Sequence, residues 1–235
     1  MAKVYKSPNP NRMRCRGAQW GAVLCVAAAM ALVVCAAVFR REIFLLLCLT
    51  AACAAGAWRL WNRAAVLKSG LAGESAAAKA LAGLPHSYSV LCNVSLAVDG
   101  RRGELDAAVV GPGGVFVVEV KNHAGSVIGE ADAKTWRQTR PVKGGRRIEK
   151  TLPNPLLQNK RQVELVRRLL EENGHRCPVS GCVYFANPHI SVHVLGPGVF
   201  TDAGALCRAI QKAKPVLSAQ DVRKIVDLMS HEARR

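Results

Sequence analysis

Residues 103–122 read GELDAAVVGPGGVFVVEVKN, and this stretch decides the fold. Two runs dominated by valine and alanine, at 104–110 and 115–122, flank a Gly-Pro-Gly-Gly segment at 111–114. Short β-branched runs on either side of a glycine-rich turn predict a β-hairpin. The sequence therefore predicts two neighbouring antiparallel strands near the middle of the chain.

The hairpin carries charged residues within these apolar strands. Because side chains alternate between the two faces of a strand, Glu104 and Asp106 share a face of the first strand, and Glu119 and Lys121 share a face of the second. If the turn closes symmetrically, Asp106 lies opposite Glu119 and Glu104 lies opposite Lys121. Like charges on facing positions destabilise a sheet, so we expect a cation between Asp106 and Glu119.

The carboxylate pair has two interpretations on the residues alone. In the first, a hard divalent cation, Mg²⁺ or Mn²⁺, binds the oxygens of Asp106 and Glu119, and Lys121 lies beside an attacked phosphate, which suits phosphodiester hydrolysis. In the second, the carboxylates lie on an exposed sheet face and Lys121 forms a salt bridge with Glu104. The composition of the strands is compatible with both.

The flanking sequence completes the core of a domain. Hydrophobic periodicity and end signals predict a helix at 71–84, a strand at 88–98, a helix at 155–173 and short strands at 183–186 and 192–195. Two more helices are predicted at 202–213 and 219–232, whereas 123–152 holds short strand candidates around Val127 and Trp136 and then a loop rich in glycine and basic residues. This order, α-β-β-β-α-β followed by (β)-α-α, predicts an α/β fold with a mixed sheet flanked by helices.

Charge and apolar character are separated along the chain. The 235 residues include 33 Lys and Arg against 16 Asp and Glu, a net charge of +17, although half of the residues are apolar. The apolar fraction excludes a disordered basic tail. Residues 18–39 form an uncharged run long enough to cross a bilayer as a helix, and 43–58 form a shorter run that Leu60 and Trp61 extend. We therefore expect a basic N-terminus at 1–17, a transmembrane helical hairpin at 18–61 and one domain at 64–235.

The basic residues around the two spans predict their orientation. Eight Lys or Arg residues precede the first span or follow the second, against Arg40 and Arg41 in the turn between them. By the positive-inside rule, both termini and the domain lie in the cytoplasm, at the cell membrane. The alternative, a cleaved signal peptide that exports the domain, is disfavoured because the first apolar run is longer than a signal h-region.

Four separated parts of the sequence resemble the nuclease-related domain (NERD) family, a branch of the PD-(D/E)XK nuclease superfamily. In chain order they are Gly73-Glu74, Glu104-Leu105-Asp106 followed by Ala-Ala-Val-Val, the strand with Glu119-Val120-Lys121, and Asn154-Pro155-Leu156-Leu157-Gln158. The resemblance implies a restriction-endonuclease-like fold with an α-β-β-β-α-β core. The sequence departs from the superfamily at Leu105, where the superfamily's name has proline, and at Ala107, where many relatives have histidine.

The resemblance also implies roles for individual residues. Asp106, Glu119 and the Val120 carbonyl would bind Mg²⁺ or Mn²⁺, and Lys121 would orient or activate water and stabilise charge at the phosphate. Glu74 would reach the metal from the first helix, and Gln158 would position the active site or the scissile strand. The alternative for Glu74 is stabilisation by the macrodipole in the first turn of a helix.

Basic residues around the predicted site indicate a polyanionic partner. They are Arg101 and Arg102 before the metal strand, Lys143, Arg146 and Arg147 in the loop after the hairpin, and Lys160 and Arg161 on the helix that carries Gln158. Nucleic acid fits this distribution, and we expect DNA before RNA as the substrate. A solubilising surface and attraction to anionic lipids are the alternatives.

The sequence thus predicts a membrane-anchored, divalent-metal-dependent nuclease. A catalytically weak or inactive module that binds nucleic acid or a protein on the same fold is the main alternative. Another alternative is that the transmembrane helical hairpin is the functional part and oligomerises, and that the domain regulates it. The oligomeric state is left open.

Overall fold

A computed structural model of the chain describes residues 1–38, 43–141 and 145–232. The predicted turn at 40–42 and Lys143 lie outside the described residues. The chain divides into two compact units, one formed by residues 1–8 and 72–235 and the other by residues 9–71. The described helices are α1 (Pro10–Val38), α2 (Ile43–Leu81), α3 (Pro155–Glu172), α4 (Ala203–Gln211) and α5 (Ala219–Glu232).

The larger unit contains two sheets. The first has the order β1-β2-β3-β4-β8-β10 and the second the order β7-β6-β5-β9. Their strands are β1 (Lys3–Lys6), β2 (Ser89–Val98), β3 (Arg101–Gly111), β4 (Gly114–Lys121), β5 (Gly125–Glu130), β6 (Thr135–Pro141), β7 (Arg147–Pro153), β8 (Val179–Phe185), β9 (Ile190–Leu195) and β10 (Val199–Phe200).

The first sheet is mixed, as the sequence predicts. Strands β2, β3 and β4 are antiparallel neighbours, whereas β8 pairs in parallel with β4 and β1 pairs in parallel with β2. Helices α3 and α5 cover one face, and the last turns of α2 together with α4 cover the other. The predicted α/β fold and its α-β-β-β-α-β core are confirmed by α2, β2, β3, β4, α3 and β8.

The predicted hairpin closes symmetrically. The ladder between β3 and β4 pairs Val110 with Val115 and Gly111 with Gly114. Gly114 has a φ of +118°, and a Cβ there would lie 2.3 Å from the Pro178 carbonyl oxygen, so the turn requires glycine at this position.

Three elements differ from the prediction. The predicted basic loop up to residue 152 contains β7, an exposed edge strand that pairs with β6. Residues 3–6 form β1, although no strand is predicted there. The predicted helix at 71–84 is the end of the much longer α2, which begins at Ile43. The stretch before residue 71 continues the helix because no proline interrupts the chain between Ile43 and Leu81.

The smaller unit contains α1 and the first part of α2, packed through small residues. A Cβ on Gly21 would lie 3.0 Å from Leu60 Cδ1, and one on Gly56 would lie 3.6 Å from Cys25 Sγ, so the two helices run antiparallel at close range. Both helices are long and apolar enough to cross a membrane. Of the most apolar 18-residue stretch, 11% of the residues are buried in α1 and 6% in α2. A core helix of a soluble protein would be mostly buried, so these two helices indicate membrane association.

Candidate active site

The site lies where β3 and β4 separate. Their ladder ends at Ala107 and Val118, one residue before Asp106 and Glu119. Beyond that point the carboxylate of Asp106 takes the place of a main-chain acceptor from β3. Its Oδ2 accepts a hydrogen bond of 2.7 Å from the Val120 N–H. The N–H and C=O of a strand residue point to the same neighbouring strand, so the Val120 carbonyl also faces β3.

Strand β3 is interrupted at Asp106 on its other side too. The ladder with β2 pairs residues 92 and 94 with Ala107 and Leu105, and skips Asn93 and Asp106 between them. Leu105 and Ala108, three positions apart, pack in the same core beneath α3, so the alternation of side chains shifts by one residue at Asp106. Asn93 has a φ of +56°, in the left-handed region. The aspartate is therefore released from regular strand geometry and turned towards β4.

Asp106 lies in an electrostatically unfavourable position. Burial, and next the charge of Glu119, raises the pKa of Asp106 from 3.8 to about 7. The Val120 N–H and the Lys121 ammonium act in the opposite direction, and Glu74 adds a smaller upward contribution to the same pKa. The two carboxylates predicted to face each other are thus close enough to interact, and they repel.

Glu119 is buried and held by two donors. Its side chain is 2% exposed. Its Oε1 accepts from Lys121 Nζ at 2.5 Å, and its Oε2 accepts from Gln162 Nε2 at 2.7 Å. The interpretation in which Lys121 pairs with Glu104 on an exposed face is wrong, since Glu119 is buried and the Lys121 ammonium forms its ion pair with Glu119.

Glu74 approaches the site from α2. Its charge contributes to the raised pKa values of Asp106 and Cys92, each of which is raised mainly by burial. A Cβ on the preceding Gly73 would lie 2.7 Å from the Cβ of Asn122, so glycine lets the helix contact the end of β4. The macrodipole alternative is wrong, because Glu74 lies near the C-terminal end of a helix that begins at Ile43.

Helix α3 carries the remaining polar groups. Its N-cap is Asn154, whose Oδ1 accepts from the Leu156 N–H at 2.8 Å. One turn later, Gln158 accepts from Lys121 Nζ at 3.1 Å through its Oε1, which places this predicted residue against the lysine. A further turn on, Gln162 reaches Glu119, a contact that the sequence analysis missed. Its spacing of four residues from Gln158, on one helical face, is the signal that could have found it.

Four of the six predicted nucleic-acid-binding residues that the structure describes line one groove. They are Arg101, Arg102, Lys160 and Arg161, in a cavity of about 760 Å³ that Arg167, Arg168, Glu164 and Gln162 also line. A second cavity of about 810 Å³ shares Arg102 and Gly103 with it and includes Gln158. Arg146 and Arg147 lie instead at the start of β7 in the second sheet. The basic groove therefore borders the residues that contact Glu119 and Lys121.

The residues around Asp106 fit a hard cation in their chemistry. Asp106, Glu119 and the Val120 carbonyl offer oxygen atoms, which Mg²⁺ and Mn²⁺ prefer, and the repulsion recorded in the pKa of Asp106 is what a cation would relieve. Within residues 1–38, 43–141 and 145–232, no group of three or more His, Cys, Asp or Glu side chains has metal-binding geometry. The fit thus depends on two carboxylates and a main-chain oxygen.

A mixed sheet with this core order, carrying a carboxylate pair and a lysine where its central strands part, defines a nuclease-like α/β domain. The model of the nuclease-related domain family matches residues 69–186, half of the chain. The chain belongs to the nuclease-related domain family.

Two relatives are similar to part of this chain. An uncharacterised protein of Bacillus anthracis is 35% identical over 105 residues, which cover 44% of this chain and 47% of that protein. The probable kinase PglW of Streptomyces coelicolor is 40% identical over 96 residues, 40% of this chain and 6% of that protein. The chain thus spans less than half of the length of these relatives, and no solved structure matches it.

Proposed function

We propose that the chain is a membrane-anchored nuclease that hydrolyses phosphodiester bonds of nucleic acid, DNA in the first place, with Mg²⁺ or Mn²⁺. The observation that carries the proposal is the convergence of Asp106, Glu119 and Lys121 at the point where β3 and β4 separate. Two carboxylates that repel in a buried position are costly to a fold, and a cation-dependent reaction explains why they are kept together.

Each residue has a separate task in this proposal. Asp106, Glu119 and the Val120 carbonyl would hold the cation, which when bound would supply Lewis-acid polarisation of the scissile phosphate. Lys121 keeps its ammonium at Glu119 in the resting site and donates to a non-bridging phosphate oxygen as negative charge develops there. Gln158, hydrogen-bonded to the same ammonium, limits the directions in which Lys121 can move.

The basic groove supports nucleic acid as the substrate. Six of its lining residues are basic and Glu164 is acidic, and neutralisation of phosphates dominates the affinity of proteins for nucleic acids. The groove shares Arg102 and Gly103 with the second cavity, and that cavity extends to Gln158. A strand bound along it would pass close to Lys121.

The two apolar helices support attachment to the cell membrane as a hairpin. Residues 1–8 and 72–235 form one compact unit, so the chain leaves this unit before α1 and returns to it within α2. A folded domain lies on one side of a bilayer, and the number of crossings between residues 9 and 71 is therefore even. Together with the basic residues that flank both spans, this supports a domain in the cytoplasm.

Cleavage by the full-length protein in detergent or nanodiscs tests the enzymatic proposal. We expect cleavage of DNA that requires Mg²⁺ or Mn²⁺ and disappears in Asp106→Ala and Lys121→Ala, with Asp227→Ala as the matched exposed control that retains it. RNA of the same sequence, assayed in parallel, compares the two substrates. Equal cleavage by wild type and both site variants would refute the proposal. Salt-sensitive binding without cleavage under any divalent cation would identify the binding module instead.

The topology has its own test. Two reporters are used, one that fluoresces in the cytoplasm and one that is enzymatically active only in the periplasm. Each is fused after residue 235 and, separately, within the predicted turn at 40–42. We expect cytoplasmic activity at the C-terminus and the opposite result at the turn. Periplasmic activity after residue 235 would reverse the proposed orientation.

A further inference from the structure

Gln162 bridges the two strands of the site at the point where their own hydrogen bonds stop. Its Nε2 donates to Glu119 Oε2 at 2.7 Å on β4 and to the Glu104 carbonyl oxygen at 2.9 Å on β3. Both acceptors lie beyond the last paired residues of the ladder, Ala107 and Val118. One amide thus spans the gap in which Asp106 lies.

The orientation of the Gln162 amide is fixed by its surroundings. A carboxylate and a carbonyl can only accept, so the nitrogen of the amide must face them. Its Oε1 in turn accepts from Asn159 Nδ2 at 3.4 Å, and the same Nδ2 donates to the Val117 carbonyl oxygen at 3.0 Å. Gln162 is 7% exposed and Asn159 is 2% exposed. Two buried amides on one face of α3 therefore connect the helix to both central strands.

We propose that Gln162 is a positioning residue that sets the Glu119 carboxylate for cation binding, with Asn159 holding the amide of Gln162 in place. This rests on the proposed function, since it assigns how one ligand of the same site is oriented. A neutral amide suits the task. It occupies Oε2 of Glu119 without bringing a second positive charge, whereas Lys121 occupies Oε1. Groups that orient a metal ligand through such hydrogen bonds typically change metal affinity by about 10–100-fold when they are removed.

Gln162→Met in the full-length protein tests the proposal, because methionine keeps the length of the side chain and removes the donor. The primary readout is the affinity for Mn²⁺, measured by isothermal titration or by the spin-resonance signal of free Mn²⁺, without substrate. We expect affinity to fall by about 10–100-fold, and the Mg²⁺ concentration that gives half-maximal cleavage to rise by a similar factor. The rate at saturating Mg²⁺ should fall less. A merely structural role would not separate these two quantities.

Gln138→Met is the matched control. Gln138 is also 7% exposed, and its Nε2 donates to the Ala124 carbonyl oxygen at 2.7 Å in the second sheet. The Gln138→Met variant thus loses a buried amide that does not contact the Glu119 carboxylate. We expect its affinity for Mn²⁺ to equal that of the wild type. If Gln162→Met fails to fold, Gln162→Asn keeps a polar amide but is one methylene too short to reach Glu119, and the same loss of affinity is expected.

The possible results separate the two proposals. Mn²⁺ affinity within twofold of the wild type, in a folded Gln162 variant, overturns the role of Gln162 and leaves the nuclease proposal intact. A similar loss of affinity in Gln138→Met also overturns it, since the effect would then come from general destabilisation. Absence of Mn²⁺ binding and of cleavage in the wild type refutes the proposed function itself, and the role of Gln162 with it.

Discussion

Replacing Asp106 with asparagine is expected to stabilise the metal-free protein at alkaline pH. Burial, and next the charge of Glu119, raises the pKa of Asp106 from 3.8 to about 7. Because the folded-state pKa is above the unfolded one, the stability contributed by this group is fully present below pH 3.8 and is lost as the pH rises to about 7. A difference of about 3 pKa units corresponds to about 4 kcal/mol above pH 7.

Asparagine removes this cost and keeps the contact. Its side-chain oxygen can still accept from the Val120 N–H, which lies 2.7 Å from Asp106 Oδ2. We therefore expect Asp106→Asn to exceed the wild type in free energy of unfolding by up to about 4 kcal/mol at pH 8 in EDTA. The advantage should shrink towards zero near pH 4. With Mn²⁺ at about 100 times its dissociation constant, the wild type alone should gain about 2.7 kcal/mol.

The fluorescence of Trp136 provides the assay. Trp136 is buried in the second sheet and stacks on Phe185 of β8 at 6.5 Å between ring centroids, so it reports on both sheets. The other tryptophans, at positions 20, 58 and 61, are replaced by phenylalanine in all variants. Urea unfolding in detergent is then compared across pH, with the exposed Asp227→Asn as control. No gain in Asp106→Asn at pH 8, or a gain that does not depend on pH, would refute the electrostatic reasoning.

Three further changes have defined outcomes. Gly73→Ala should lower the melting temperature and the cleavage rate because its Cβ would lie 2.7 Å from a side-chain atom at the end of β4. Gly70→Ala, whose Cβ meets no described heavy atom within 4 Å, should be neutral or stabilising. Arg161→Gln should reduce the slope of log affinity against log salt by about 0.9 for duplex DNA, measured by fluorescence anisotropy, whereas Arg223→Gln on α5 should not. Asn154→Ala removes the N-cap of α3 and hydrogen bonds to the loop at 131–133, and should cost about 2 kcal/mol in urea unfolding. An unchanged melting temperature in Gly73→Ala, salt slope in Arg161→Gln or unfolding free energy in Asn154→Ala would contradict the contact on which that prediction depends.

The sequence predicts best where a pattern is local. The hairpin follows from its turn and its two apolar runs, and the pairing of Val110 with Val115 was predictable from symmetric closure. The exact register of the charged residues was not. The predicted pairs, Asp106 with Glu119 and Glu104 with Lys121, extend a regular ladder through Asp106, whereas the ladder ends at Ala107 and Val118.

Long-range partners explain the elements that sequence analysis missed. Strand β1 has four residues, Lys3–Lys6, and becomes a strand because it covers the edge of β2, whose sequence lies more than 80 positions away. Six of the seven residues of β7 are exposed and three are charged, and pairing with β6 gives the segment its conformation. No periodicity within a short polar segment carries such information. A fragment that begins at residue 64 would therefore lack a strand of the first sheet.

The site gathers features that each disfavour folding. Asn93 has a left-handed backbone, Asp106 is buried beside a like charge, and the amides of Asn159 and Gln162 replace apolar side chains on the inner face of α3. Local rules of sequence and structure are usually obeyed together, and departures concentrate where function requires them. Here the departures are not independent, because the break in pairing at Asn93 and Asp106 turns Asp106 towards β4, and Gln162 spans the gap between β3 and β4. A sequence that restored regular pairing at Asp106 would gain strand hydrogen bonds, but it would return the carboxylate to one face of the sheet and remove it from Val120. The irregularity is thus the structural condition for the two acids to meet.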